Sequence, residues 1–117
     1  MREESVVEEN ELAYAVRHAF AVTLLHMLLI PERYVRGYFE LGQPELNACR
    51  RLLEQEKETT KDQDASVEGS NVGINDDEVA GQTIFHCHIH LLPRRRGDVE
   101  EPMGGVRNVF PGKATYQ

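Results

Sequence analysis

Cysteine is scarce in this chain, and no two cysteines are spaced as Cys-x-x-Cys. Cys49 and Cys87 therefore suggest neither a disulfide scaffold nor a structural zinc site; they read as buried, reduced thiols. Long apolar runs are missing too. The longest, Leu24 to Ile30, covers seven residues, is broken by His26, and falls far short of a membrane span. Met1 to Asn10 is rich in glutamate and lacks the apolar stretch of a secretory signal, so the reading is a soluble, cytoplasmic protein with no membrane partner. Nor is there a surplus of positive charge. The formal net charge is −7, which argues against a nucleic-acid polymer as partner, because such binders concentrate Lys and Arg against phosphate.

What is present is ordinary for a globular domain: 40% hydrophobic and 28% charged residues in 117 positions, enough for one core and one domain, 1–117. The charge is uneven. Residues 86–117 hold five Arg or Lys against three acids, a net +2, which leaves −9 for the first 85 residues. A basic end on an acidic body suits a small anionic ligand better than a long polyanion, although an arginine run can also be a solvated loop.

Val6 to Leu12 and Ala13 to Phe20 read as strands, and Thr23 to Ile30 as a third, nearly all apolar and so central. Arg33 to Leu41 carries Val35, Tyr38 and Phe39 at helical spacing and reads as a short helix. Pro44 and Glu45 suit a first helical turn; Leu46, Cys49, Leu52 and Leu53 then form an apolar stripe, with Arg50, Arg51, Glu54, Glu56 and Lys57 wet, to about Thr60. Val67 to Ile74 reads as a strand, Asn75 to Gly81 as a loop and Ile84 to Leu92 as the last strand. From about 97 to 117, Gly and Pro predict an extended tail. Helices set between hairpin-connected strands define the α+β class.

The informative segment is His86-Cys87-His88-Ile89-His90. Side chains on a strand alternate faces, so the three histidines project to one side while Cys87, Ile89 and Leu91 can enter the core. Three chemistries compete for such an arrangement. Metal binding is one, but the strand rise separates His86 from His90 by roughly 13 Å, too far for bonds of about 2 Å to one ion unless the strand bends sharply. A polar pocket without reaction is another, easily satisfied by one histidine and less easily by three in register. Phosphoryl chemistry is the third. A neutral imidazole can attack phosphorus and form a phosphoramidate that water hydrolyses, a neighbour can protonate the leaving oxygen, and positioned donors can meet the oxyanion charge.

Gly81-Gln82-Thr83-Ile84-Phe85-His86-Cys87-His88-Ile89-His90-Leu91-Leu92-Pro93 resembles the histidine triad (HIT) signature, three histidines separated by apolar residues. Glu9-Asn10-Glu11-Leu12-Ala13-Tyr14-Ala15, His26 with Ile30-Pro31, Gln43-Pro44-Glu45, Val72-Gly73-Ile74-Asn75 and Gly104-Gly105-Val106-Arg107 extend the likeness to the bacterial hydrolases of this family, similar to its diadenosine polyphosphate branch. The resemblance implies a half-barrel-like antiparallel sheet with two helices, paired as a two-fold homodimer. It implies a nucleotide hydrolase acting on a dinucleoside polyphosphate or nucleoside phosphoramidate, with His88 as the nucleophile that carries the nucleotidyl group. His90 would hold the phosphate, His86 would assist the leaving group, and His26, Asn75, Gln82 and Thr83 would contact substrate. No tightly bound metal or cofactor is implied, with magnesium entering only alongside a polyphosphate substrate. Two positions depart from the pattern. His18 stands where relatives place an acid or amide against the ribose, and Pro31-Glu32-Arg33-Tyr34 lacks a histidine often found there. The first departure motivates the alternative of a nucleotide-binding module with weak or lost turnover.

Overall fold

The computed structural model describes residues 5–114. Five strands form one antiparallel sheet: β1 (Val6–Glu9), β2 (Ala13–Arg17), β3 (Met27–Pro31), β4 (Val67–Gly73) and β5 (Ile89–Arg95), in the spatial order β1-β2-β3-β5-β4. A single α-helix among the described residues, α1 (Gln43–Gln63), packs on one face. The α+β class follows from the alternation of strand and helix patterns, but the details are set by side chains that bond to the backbone.

Asn10 makes the first reversal. Its Oδ1 accepts the N–H groups of Leu12 at 3.1 Å and Ala13 at 3.0 Å, and its Nδ2 donates to the Ala48 carbonyl at 2.9 Å. Such local bonds compete with a strand ladder, so β1 stops at Glu9 rather than reaching Leu12. The Asn10 amide also ties the turn to α1.

The helix starts after Gly42, whose N–H donates to Glu45 Oε1 at 2.9 Å, with Pro44 in the first turn where its missing N–H costs nothing. Ala48, Cys49 and Leu52 pack against Ala13, Ala15, Met27, Leu29, Ile89 and Leu91, and the alanines of β2 let the helix approach closely. The wet face differs from expectation at one position. Glu56 is only 2% exposed, next to Arg17 and Glu8, and burial followed by the Glu8 charge raises its pKa, with Arg17 opposing.

The second helix, expected over 33–41, does not form; only a 3-10 turn at Tyr38–Glu40 is present. Its backbone groups and side chains have other partners. The Val35 carbonyl accepts the Cys87 N–H at 2.7 Å, and Arg33 is held by Glu45 through two bonds of 3.0 and 2.7 Å. A carbonyl used in that way cannot close a helical ring.

β3 begins at Met27, not Thr23, and β2 ends at Arg17, not Phe20. The connecting residues form a loop in which Leu25 takes a left-handed conformation (φ 72), and Phe20, Val22 and Leu24 are exposed. The tail after β5 is not simply extended: Gly105–Val109 forms a further 3-10 turn, and residues 115–117 lie outside the described region.

Candidate active site

β5 lies between β3 and β4 and begins at Ile89, not at Ile84 as the sequence pattern suggests, so His86, Cys87 and His88 precede it, yet burial alternates through Leu91. Cys87, Ile89 and Leu91 are buried toward the core, while His86, His88 and His90 are partly exposed. Ladder pairing begins at Ile89, because the Cys87 N–H is drawn to Val35. His90 sits opposite Leu28 of β3 and Gly73 of β4, and Leu28 in turn pairs with Val16 of β2. The histidine face is therefore continuous with a second apolar cluster, Tyr14, Val16, Leu28 and Ile30. Counting by twos from Val16 and Leu28 reaches His18 and His26, whose main chains stay paired by the His18 N–H to His26 carbonyl bond at 3.0 Å.

Each ring has one nitrogen fixed by a partner, which decides what the other can do. His88 Nδ1 donates to the His86 carbonyl at 2.8 Å, since a carbonyl can only accept, and the lone pair is left on Nε2. His86 Nε2 likewise donates to the Pro31 carbonyl at 2.9 Å, leaving Nδ1 open beside the Tyr34 ring, whose centroid is 5.3 Å away. The Val22 N–H donates to His26 Nδ1 at 3.2 Å, so the proton of neutral His26 is on Nε2, which stands 3.0 Å from His90 Nδ1. His90 Nδ1 must then accept, and Nε2 carries the His90 proton. Hydrogen-bond partners assign these tautomers throughout.

The electrostatics agree. His26 is 3% exposed, and burial, with like charge from His18 and His90, lowers its pKa to about 4. Burial, then His88 and His18, lowers His90 to about 4 as well. Both rings stay neutral at neutral pH, and neutral rings are what the tautomer chain needs. Consecutive centroids are close: 5.5 Å from His88 to His90, 5.2 Å from His90 to His26 and 4.6 Å from His26 to His18.

Of the other candidates, Gln82 is 3% exposed and its amide faces the main chain. Oε1 accepts the Asp77 N–H at 2.8 Å, and Nε2 donates to the carbonyls of Arg36 at 2.8 Å and Ile84 at 3.1 Å. Asn75 and Thr83 are exposed on the loop ahead of β5. The arginine run is neutralised: Arg94 pairs with Asp98 at 2.8 Å, Arg95 with Asp64 at 2.9 Å and Arg96 with Glu68 at 3.2 Å. A cleft of about 530 Å³ lies against these arginines and not at the histidines. Because its cations already have partners, the chemistry is better placed at the histidine face. His18, which the family resemblance set against the ribose, packs with His26 and His90, and its even spacing from Val16 puts it on the His90 face.

The HIT domain family model matches residues 2–97, and the chain belongs to this family. An uncharacterized HIT-like protein of Mycoplasma pneumoniae is 35% identical over 88 residues, 75% of this chain and 60% of its own length. The asymmetrical bis(5'-nucleosyl)-tetraphosphatase of Schizosaccharomyces pombe is 34% identical over 76 residues, 65% of this chain and 41% of its own. The crystal structure of the Caenorhabditis elegans NitFhit protein superposes with a TM-score of 0.75 at 26% identity, covering 82% of this chain and 23% of that one. The chain thus spans less than two thirds of the length of these relatives.

Proposed function

We propose that this protein hydrolyses a phosphoanhydride or phosphoramidate bond of a nucleotide through a covalent nucleotidyl-His88 intermediate. The observation that carries the reading is the bond from His88 Nδ1 to the His86 carbonyl, which leaves the Nε2 lone pair as the free nucleophile. In the first step His88 Nε2 bonds to phosphorus and the bond to the leaving oxygen or nitrogen breaks, that atom taking a proton. His86, whose Nε2–H stays on the Pro31 carbonyl, is assigned to supply that proton from Nδ1 of a doubly protonated ring, which is left neutral as the bond breaks. In the second step water attacks phosphorus, the N–P bond breaks, and the nucleoside monophosphate leaves with His88 regenerated. His90, neutral and with its proton on Nε2, supplies a donor to the non-bridging oxygens without a charge that would have to be desolvated.

Asn75 and Thr83, exposed on the loop ahead of β5, are assigned to substrate on the family resemblance, which adds Gln82, His26 and a two-fold homodimer. No resident metal takes part, and magnesium would enter only with a polyphosphate. Direct mass spectrometry of protein quenched during turnover tests the intermediate. A nucleotidyl adduct that maps to His88 is expected; turnover with no adduct, or one on another residue, overturns the assignment.

A further inference from the structure

Two ring side chains touch the site histidines and have no part in the steps above: His18, whose Nδ1 accepts the Phe20 N–H at 3.0 Å, and Tyr34. Tyr34 stands at the histidine that must be charged. An ordinary imidazole titrates near pH 6.5 and is mostly neutral at pH 7, so protonation of a leaving group by His86 calls for neighbours that favour the doubly protonated ring. The His86 ring meets one chain segment through two groups. The Pro31 carbonyl is 2.9 Å from Nε2, and the Tyr34 ring has its centroid 5.3 Å away with the two planes tilted by 41°.

The main chain puts Tyr34 there. The Cys87 N–H donates to the Val35 carbonyl at 2.7 Å and Val35 is buried, so residues 34–36 run beside 85–87, with Tyr34 and Arg36 exposed on either side of Val35. Tyr34 is 69% exposed, so packing in the core is not what holds it. A cation within about 6 Å of a tyrosine centroid is attracted by the ring's quadrupole, and that attraction ends when the imidazole loses its charge. The Pro31 carbonyl acts in the same sense, because it accepts more strongly from a charged donor. The remaining charged groups of the segment are Glu32, Arg33 and Arg36. Glu32 is exposed and of favourable sign. The guanidinium groups oppose a charged His86, but Arg33 is held by Glu45, and Arg36 pairs with Asp77 at 3.4 Å and lies 4.2 Å from the Phe85 centroid. His88 gives its Nδ1–H to the His86 carbonyl and is used neutral, as the nucleophile.

We propose that Tyr34 is a positioning residue for leaving-group protonation: its ring holds the His86 imidazolium beside the Pro31 tether until Nδ1 gives its proton to the departing atom. The inference rests on the hydrolase reading for that step, but the contact can be probed without turnover. Tyr34 matters most where the leaving atom cannot depart as a stable anion, as an amine cannot and a nitrophenolate can. Steady-state kinetics on native protein, Tyr34→Leu and Tyr34→Phe therefore compare adenosine phosphoramidate with the p-nitrophenyl ester of AMP. In Tyr34→Leu the ratio of kcat/KM, phosphoramidate over ester, should fall about fivefold, which corresponds to roughly 1 kcal/mol of lost cation–π attraction. Tyr34→Phe, which keeps the ring, should restore most of that ratio. An equal loss for both substrates, or no loss, overturns the proposal, and so does a Tyr34→Phe ratio as low as that of Tyr34→Leu. Tyr34→Met serves if Tyr34→Leu melts early. Proton–nitrogen NMR follows the His86 ring without substrate: its titration midpoint should lie about half a pH unit lower in Tyr34→Leu than in native protein, and equal midpoints overturn the proposal. If native protein hydrolyses neither substrate while the midpoint still shifts, the hydrolase reading fails and the Tyr34–His86 contact stands as one that holds charge.

Discussion

His26 and His90 share one proton: Nε2 of the first stands 3.0 Å from Nδ1 of the second, and the Val22 N–H on the far side of His26 decides which ring carries it. An exposed loop thereby sets the tautomer of a ring in the histidine cluster, because a main-chain donor can only be answered by a lone pair. Long-range nitrogen–proton NMR should find both rings neutral at pH 7 with the proton on Nε2. Protonated Nδ1 on either ring would break the chain of inference from Val22 to His90.

The same pair gives stability a pH dependence. Both folded-state pKa values lie near 4, below the ordinary 6.5, so the unfolded chain binds more protons between those values. Stability is full above about pH 6.5 and is lost as pH falls toward 4, by on the order of 2–3 kcal/mol for the two rings after allowing for solvent screening. Denaturant titrations at pH 7 and 4.5 should show this loss, and His26→Asn should remove about half of it. A variant with the native pH slope would mean that His26 is not held neutral by the fold.

His88→Ala should abolish turnover and leave the melting temperature nearly unchanged. The His88 ring projects from the face opposite the buried Cys87 and Ile89, so no core cavity opens when it is cut back. Loss of a covalent route ordinarily costs several orders of magnitude. Residual activity above about one per cent of native would sink the nucleophile assignment.

The division of the histidine strand was legible because alternation is a property of the backbone: Cys87, Ile89 and Leu91 are buried and His88 and His90 are not. The loop before β3 was not legible. Its composition, Val22 through Leu25, is that of a buried strand, and what holds it open is polar, one contact distant in sequence and one local. Arg95 donates to the Leu24 carbonyl at 3.0 Å and His26 Nδ1 receives Val22. Glu56 was misread for a similar reason. Helical spacing places it only relative to its own helix, and the Arg17 and Glu8 that flank it come from the first strands. Likewise the arginine run reads as a free basic patch until Asp64 and Glu68, some thirty residues earlier, are brought beside it.

Metal removal offers a separate test of the cluster. Protein purified without chelator should contain no stoichiometric transition metal, and its activity should survive chelator when the substrate needs no magnesium. Activity lost to chelator and restored by one transition metal would require His18 and His26 to exchange their main-chain donors for ligation, contrary to the bonds at 3.0 and 3.2 Å.

Gln82 separates a structural role from a binding one. Family likeness puts it against substrate, whereas its amide bonds to three main-chain groups, at Asp77, Arg36 and Ile84. Those bonds fasten the loop ahead of β5 to the segment that carries Val35, and so help aim His86 and His88. Truncating a buried side chain leaves its former partners unsatisfied, at about 1–3 kcal/mol for such a group. Gln82→Ala should therefore cost roughly 2–3 kcal/mol of stability and lower kcat by misplacing the histidines. Gln82→Glu, which keeps the Asp77 contact but turns an acceptor toward the Arg36 and Ile84 carbonyls, should be at least as damaging. Denaturant unfolding measured beside steady-state kinetics decides between the roles. A Gln82→Ala protein with native stability and a raised KM alone would place the amide on the substrate and leave the loop to other contacts.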